Sequence, residues 1–503
     1  MLLQDITKNV IQWVALGFIF TIGLAILAII AMYFIDKFQT KQTIRRNYPV
    51  VGRFRYFFEH IGEFFRQYFF AMDREEMPFN RADRNWVYRA AKKVDTMIAF
   101  GSTRNLDVQG EAIFLNSAFP TLDHDIAESE DVTIGANTCK TPYTTNAIIN
   151  ISGMSFGAIS KPAILALSEG AKKAGIWMNT GEGGLSSYHL EGGADIVYQI
   201  GTAKYGVRND SGNLCDKKLR EIADYEQVKM FEIKMSQGAK PGKGGILPGE
   251  KVTQEIAEIR GIEAGQDSIS PNGHLDITST GDLLDMISRI RKVTGKPVGF
   301  KIVVGQLSFF HDLFTLIHKR GIESAPDFIT LDSADGGTGA APQPLMDYVG
   351  MTLNESLPLV INLLHEYGLR KQIKIIASGK LITPGKVAWA LAVGADFITS
   401  ARGFMFSLGC IQALQCNKNT CPTGITTHDK KLQRGLVPKD KAERVTNFAN
   451  KIVYGVGLVA HSCGAKHPRQ LNRTHVRIIE HGGRSEELIK IHPIPETRNE
   501  FKI

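Results

Sequence analysis

Apolar and polar positions change rhythm several times along the chain. Residues 11–35, from Ile11 to Ile35, carry no charge. At ~1.5 Å per helical residue this run outspans the ~30 Å hydrocarbon core of a bilayer. Trp13 and Tyr33 near its ends match an aromatic belt. A signal peptide fits less well, because the run is long, its leading segment is not basic and no Ala-x-Ala site comes after it. Residues 50–72 then alternate bases with aromatics: Arg53, Phe54, Arg55, Tyr56, Phe57 and Phe58, then Phe64, Phe65, Arg66, Tyr68, Phe69 and Phe70. At helical spacing the aromatics make a broad apolar stripe, suited to a membrane surface or to packing on the catalytic domain. From Arg81 to about Thr141 the text is mixed polar and apolar and reads as a leader that packs on the next domain.

Beyond Thr144 short β-rich runs alternate with helical stretches. The predicted strands are Ala147–Ile151, Ile176–Asn179, Ile196–Ile200, Met230–Met235, Val298–Val303, Phe328–Leu331, Ile373–Ile376 and Phe397–Thr399. Apolar strands separated by helices predict an α/β fold, a closed parallel (β/α)8 TIM barrel, preceded by one transmembrane helix. The predicted organisation is a membrane helix over 1–36, a juxtamembrane segment over 37–94, the barrel domain over 95–465 and a tail over 466–503. A helix-like run at 440–460 is expected to close the barrel's bottom or flank. Nearly every strand ends in a polar or glycine-rich tail, and in such barrels these C-terminal ends carry the chemistry.

Composition narrows the class. With 43% hydrophobic and 22% charged residues, the chain can bury a sizeable core. The net charge of +8 comes with no nucleic-acid motif, so nucleic-acid binding is not expected. Lys37, Lys41, Arg45, Arg46, Arg53 and Arg55 come after the apolar run against a lone Lys8 before it. That asymmetry predicts a single-pass inner (cytoplasmic) membrane protein with its catalytic domain in the cytoplasm. Six cysteines in 503 residues do not make a disulfide framework. Three of them, Cys410, Cys416 and Cys421, fall within a dozen residues, with Pro422 directly after the last. Crowded thiolates bind soft metal, and a three-iron cluster is satisfied by three of them. A zinc site completed by His428 or Cys463, or three unrelated buried thiols, are the alternatives.

The strand tails hold the remaining candidates. Ser378-Gly379-Lys380 and Ala401-Arg402-Gly403 come after the seventh and eighth strands, the usual barrel phosphate site. With Lys380 and Arg402 nearby, the expected anion is the phosphate of a bound flavin, which turns single electrons into hydride-like chemistry. Lys301 on the fifth strand suits the pyrimidine edge of a reduced flavin. The loop from Gln237 to Gly245 carries Lys240 and Lys243 among glycines, suited to gripping a dicarboxylate or polarising a carbonyl. Glu182 between glycines could position an amine or move a proton. Asp335 and His274 are further polar candidates.

Ile151–Ser160, Asn179–Gly184, Ile233–Gly249, Ile269–Ile277, Phe300–Ile302, Asp335–Pro342 and Cys410–Thr427 together resemble the synthase domain of bacterial and ferredoxin-dependent glutamate synthases. The resemblance covers roughly residues 95 to 460 in the right order. It implies an FMN-binding barrel with a 3Fe-4S cluster on Cys410, Cys416 and Cys421. It also implies that 2-oxoglutarate and ammonia form 2-iminoglutarate, which reduced FMN converts to L-glutamate. Glu182, Gln237 and Lys240 would match the family's substrate-site residues. Ser152, Met154, Ser155, Lys301, Gly337, Gly379 and Gly403 would fall near the flavin. An external donor, ferredoxin or a reductase subunit, would supply electrons.

Three departures qualify the match. The chain opens Met1-Leu2-Leu3 and its first cysteine is Cys139, so no glutaminase domain with an N-terminal Cys nucleophile is expected. The family's C-terminal β-helix domain is not expected either. The family's Ser-Gly-Arg-Phe-Gly-Val reads Thr202-Ala203-Lys204-Tyr205-Gly206-Val207 here. If that position binds a carboxylate, Lys204 cannot reproduce a bidentate fork. A membrane-anchored stand-alone subgroup of glutamate-synthase-like proteins fits the whole chain. An amine or methylamine transferase acting on glutamate, or a membrane-bound flavin/iron–sulfur relay subunit, are the alternatives.

Overall fold

The computed structural model describes residues 2–97, 99–236, 241–338 and 341–501. It contains two compact units, Met1–Arg81 and Ala82–Ile503.

In the first unit a single helix, α1 (Leu2–Phe38), takes up the uncharged run. Within Gln4–Phe38 an 18-residue window has a mean hydropathy of 2.7 and none of that window is buried, so the helix is long and apolar enough to cross a membrane. A short helix α2 (Thr43–Asn47) and the amphipathic α3 (Gly52–Phe65) come next, and then a single π-helical turn, Arg66–Phe70. Asp36 near the end of α1 is fully buried by Arg45 and Arg53, whose guanidinium groups lie 2.5 and 2.8 Å from its carboxylate. Two of the bases that the sequence offers to a headgroup layer are therefore committed within the protein.

In the second unit eight parallel strands close a barrel: β1 (Ile149–Ile151), β2 (Met178–Asn179), β3 (Ile196–Ile200), β4 (Val228–Lys234), β5 (Val298–Val303), β6 (Phe328–Asp332), β7 (Lys374–Ser378) and β8 (Phe397–Ser400). β8 pairs with β1 through Ile398 and Ile149, which completes the ring. The strands are buried on both faces, as parallel strands covered by helices must be. Before the barrel, helix α4 (Arg81–Ala91) comes first. A hairpin, Val132–Ile134 with Tyr143–Thr145, then plugs the bottom. Its Ile134 and Tyr143 pack with Trp177, Phe328 and Phe397 from the N-terminal ends of the strands.

The helix after β1, α5 (Lys161–Ala174), shows how local sequence fixes the layout. Ser160 caps its first turn through Ala163 N, Pro162 sits in that turn and Gly175 ends it in the left-handed conformation at φ 67°. Gly170 lets α5 press against the long helix α6 (Pro438–Ser462), because a Cβ there would lie 2.6 Å from Val445. The 440–460 run thus lies on the barrel's flank, against the helix that comes after β1. The last strands, Val476–Ile479 and Ser485–Glu487, join Ala112–Phe114 in a three-stranded antiparallel sheet.

Candidate active site

The C-terminal ends of the strands surround a cavity of about 210 Å³, whose wall includes Ser155, Glu182, Lys234, Arg260, Arg402 and Cys416. Ser155 comes from the tail of β1. Glu182 lies after β2 in a turn where Gly181, at φ 65°, brings the backbone against Ser155 N; a Cβ at Gly181 would sit 2.6 Å from that nitrogen. Lys234 ends β4 and its ammonium lies 3.5 Å from the Glu182 carboxylate.

Arg260, the last residue of the helix Gln254–Arg260, is only 5% exposed. Nη1 donates to Ser268 Oγ at 3.0 Å and Nη2 to Phe156 O at 3.3 Å and Ser155 Oγ at 3.5 Å. Its guanidinium lies over the Tyr205 ring, 5.2 Å from the centroid. Nε is buried with no partner among the described residues. Burial lowers the guanidinium's proton affinity, against the pull of Tyr205 and Glu182. A buried cation with an open donor at a cavity wall is a ready seat for a carboxylate.

His274 contacts Lys234 O through Nε2 at 2.9 Å. A carbonyl only accepts, so Nε2 carries the proton and Nδ1 is left as a buried lone pair without a described partner. Burial pulls the His274 pKa below its ordinary value, and the ring is neutral at physiological pH.

Below the mouth lies a polar layer. Glu232 of β4 accepts from Asn179 Nδ2 at 2.8 Å, Gln199 Nε2 at 2.6 Å and Thr330 Oγ1 at 2.6 Å. Lys301, fourth in β5, stands 3.1 Å from Asp332. Burial alone would lower the Lys301 pKa, but Asp332, Glu232 and Glu182 raise it, so the ammonium stays charged. Lys301, Ser152, Asn179 and Thr399 border a small interior space. Thr399 Oγ1 is buried there without a described partner.

Other candidates occupy different places. Lys380, at φ 51°, pairs with Asp335 at 2.8 Å, so the base expected near the flavin phosphate and the polar candidate Asp335 neutralise each other. Burial raises the Asp335 pKa, but Lys380 and Ser333 bring it below its ordinary value. Arg402 donates to Gly337 O at 3.3 Å and lies 4.0 Å from Cys416 Sγ, linking the β6 tail to the cysteine loop. Met154 and Gly337 line the cavity. Gly379 and Gly403 are demanded by packing: a Cβ would meet Ser333 at 2.5 Å and Phe448 at 2.8 Å respectively. Lys204 is 4% exposed and its ammonium is held by Asp276 at 2.8 Å. Gln237 and Lys240 lie outside the described residues.

The cysteine loop comes after the helix Arg402–Leu408. Burial pushes the Cys410 thiol up to about 11, with Cys416 and Cys421 close enough to add to the effect. Burial acts on Cys421 in the same sense, but hydrogen bonds from Thr423 and Thr426 bring its pKa below the ordinary value. Lys251, 1% exposed, donates to Cys416 O at 2.7 Å and Thr426 O at 2.6 Å. Tyr88 of α4 donates to Cys410 O at 2.6 Å. Among the described residues no three His, Cys, Asp or Glu side chains gather as ligands of one metal ion. His428 is engaged with Gly157 O at 2.8 Å and Cys463 caps α6, so the zinc alternative gains no support.

Residues 102–466 match the family model described as the conserved region in glutamate synthase. The glutamate synthase large subunit-like protein YerD of Bacillus subtilis (strain 168) is 41% identical over 498 residues, 91% of this chain and 94% of its own length. The chain belongs to the glutamate synthase family. It is accordingly an enzyme, an oxidoreductase. The archaeal-type glutamate synthase (NADPH) of Thermotoga maritima is 36% identical over 328 residues, 64% of this chain and 61% of that protein, so the chain spans about three fifths of its length. Among solved structures, a mutant flavocytochrome b2 with benzoylformate superposes with a TM-score of 0.46 at 11% identity, covering 83% of this chain and 85% of that one.

Within this glutamate-synthase-like barrel, Lys234, Glu232, Lys251 and Arg260 are the residues that sequence reading overlooked. Lys234 and Glu232 alternate along β4 with apolar neighbours, a pattern that could have marked an inward polar face. Arg260 and Lys251 gave no signal, because a base on a helix or turn reads the same whether exposed or buried.

Proposed function

We propose that the protein forms L-glutamate by reductive amination of 2-oxoglutarate with ammonia, using FMN and a 3Fe-4S cluster. The observation that carries this reading is the gathering of Arg260, Ser155, Glu182 and Lys234 on one cavity wall, with Lys301 beneath and Cys416 at the rim. FMN, when bound, would supply hydride-like reducing equivalents, fed one electron at a time through the cluster. Lys301 and the open Thr399 hydroxyl suit the polar edge of a flavin, with Ser152, Met154, Ser155 and Gly337 around it. Cys410, Cys416 and Cys421 would hold the cluster. Three iron atoms keep their cysteines further apart than the ligands of one ion, and the three thiols already share one electrostatic environment.

On this reading Arg260 holds a carboxylate of the oxo acid through its open Nε and the Nη2 edge it shares with Ser155. Glu182, 3.5 Å from the Lys234 ammonium, positions ammonia and takes up the proton lost as ammonia attacks the keto carbon. Attack and loss of water give 2-iminoglutarate, and two electrons with two protons reduce it to glutamate. Gln237 and Lys240 belong to the same substrate group by their place in the chain. Electrons would come from ferredoxin or a reductase subunit, and α1 would tether the enzyme at the inner membrane with its catalytic unit in the cytoplasm.

The test uses detergent-solubilised protein prepared without oxygen. Oxidised enzyme should show flavin bands and a three-iron paramagnetic signal; after reduction bleaches the flavin, 2-oxoglutarate with ammonium should reoxidise it and yield glutamate. Flavin and cluster without reoxidation would overturn the synthase reading in favour of transfer or relay. Absence of flavin would overturn the site assignment as a whole.

A further inference from the structure

We propose that α3 and the turn after it form an in-plane helix that binds the anionic headgroup layer of a bilayer; this rests on the reading of α1 as a membrane span. Three features carry it. The first is a rigid corner. Asp36, wholly buried at the end of α1, accepts from Arg45 Nε at 2.9 Å, Arg53 Nε at 2.8 Å and the Val50 backbone N–H at 3.0 Å. Val50 is held at φ 67°, and a Cβ on Gly52 would strike Ile44 O at 2.8 Å. The end of α1 and the start of α3 are therefore clamped together, with no flexible tether between them.

The second feature is the apolar face. Phe54, Phe57, Phe58 and Phe65 recur at helical spacing and are 59, 55, 61 and 46% exposed, and Phe69 and Phe70 in the next turn are each 75% exposed. The third is charge. Lys37, Lys41, Arg46, Arg55 and Arg66 are exposed around this face, whereas the acids of the same stretch are Glu59 and Glu63. Aromatic rings set among bases, directly after a span, match a layer that is apolar on one side and lined by phosphates on the other. The buried Asp36 presents no carboxylate to that layer, because Arg45 and Arg53 cover it.

The experiment places p-benzoylphenylalanine singly at Phe18, Phe58 or Phe69 of the full chain, reconstituted in mixed phosphatidylcholine–phosphatidylglycerol vesicles. Illumination should give lipid adducts at all three positions, enriched in phosphatidylglycerol at the last two. Combining Arg46→Gln, Arg55→Gln and Arg66→Gln should cut that enrichment by at least roughly fivefold, the factor for one base near an anionic surface. Adducts at position 18 but not at 58 and 69, or adducts there without enrichment, would overturn the in-plane helix and leave the span intact. No lipid adduct at position 18 would overturn the span itself, and the proposal with it.

Discussion

Two buried charges at opposite ends of the barrel, Asp327 and Arg260, are treated in opposite ways. At the bottom, Asp327 is wholly buried and saturated: it accepts from Val298 N at 2.7 Å, from Arg291 Nη2 at 3.0 Å and Nε at 3.1 Å, from Thr138 Oγ1, and from Cys139 Sγ at 3.5 Å. The partner Arg291 spends its remaining donors on Glu323 O and Ala325 O. Burial and the Asp327 charge push the Cys139 thiol up to about 12, so it remains a neutral donor. At the top, Arg260 Nε, His274 Nδ1 and Thr399 Oγ1 are buried and unmatched among the described residues. The bottom also leaves Arg469 Nε unmatched among the described residues, beside Asp396 O and Ala147 O, so an open donor does not by itself mark a site; what distinguishes the top is that Arg260 and its open Nε line the cavity. Asp327 serves the fold, and Arg260, on the proposed reading, serves a ligand.

The largest effect that tests this division is at the bottom. Asp327→Ala should strip Arg291 of its counterion and cost about 3–5 kcal/mol of stability, seen as a lower denaturation midpoint. The folded fraction should bind 2-oxoglutarate as before. A stability loss below about 1 kcal/mol would mean that Asp327 is no keystone.

At the top the consequences should reverse. Arg260→Met should weaken 2-oxoglutarate binding by about 2–3 kcal/mol, roughly 30- to 150-fold, the range for losing hydrogen bonds to a charged group. Removing a buried cation should leave the apo barrel as stable as before or more so. Titration of the flavin spectrum with 2-oxoglutarate measures the first and thermal unfolding the second. Unchanged affinity would remove Arg260 from the substrate site.

The two ends also differed in what sequence could reveal. Val298–Val303 and Ile196–Ile200 were legible to the residue because strands buried on both faces must be apolar runs, and that is a local property. The charged sites were not local. Lys380 pairs with Asp335 from another strand tail, and Lys204 pairs with Asp276 across a long insertion. A glycine beside a predicted phosphate site reads the same whether a ligand or a side chain such as Phe448 needs the space. Arg260 became visible only when the helix carrying it was placed against Ser155 and Tyr205.

His189 sharpens the comparison, because it is open without facing the cavity. Buried in the short helix after β2, it engages Ser186 through Nδ1 and leaves Nε2 unmatched among the described residues. Burial lowers its pKa from 6.5 to about 4. The native ring is neutral while the unfolded ring protonates first. Its contribution is therefore complete above the unfolded value and is lost as pH falls from 6.5 towards 4. The slope attributable to this ring should approach about 1.4 kcal/mol per pH unit at most. His274 and His428, also lowered chiefly by burial, add to the decline in the same direction. His189→Gln should flatten part of the unfolding-versus-pH curve without touching 2-oxoglutarate affinity. An unaltered curve would show that the ring is protonated or hydrated in the native protein.

The smallest predicted effect is the one that family resemblance would make large. Lys204 stands where the family carries an arginine, yet its ammonium is buried against Asp276, and its backbone takes the left-handed conformation at φ 50°. A cation already matched has little left to offer a substrate carboxylate, and Asp276 keeps about a third of its side chain exposed, so water can take over when the lysine is lost. Lys204→Met should therefore change 2-oxoglutarate affinity by less than about twofold, within the ±0.5 kcal/mol typical of substitutions away from a site. Lys204→Arg should not improve it, because the fork would have to leave Asp276 to reach the cavity. Should Lys204→Met weaken binding as much as Arg260→Met, the open and closed charges at the mouth would not be separable. Carboxylate recognition would then have to be shared between a paired cation and an unpaired one.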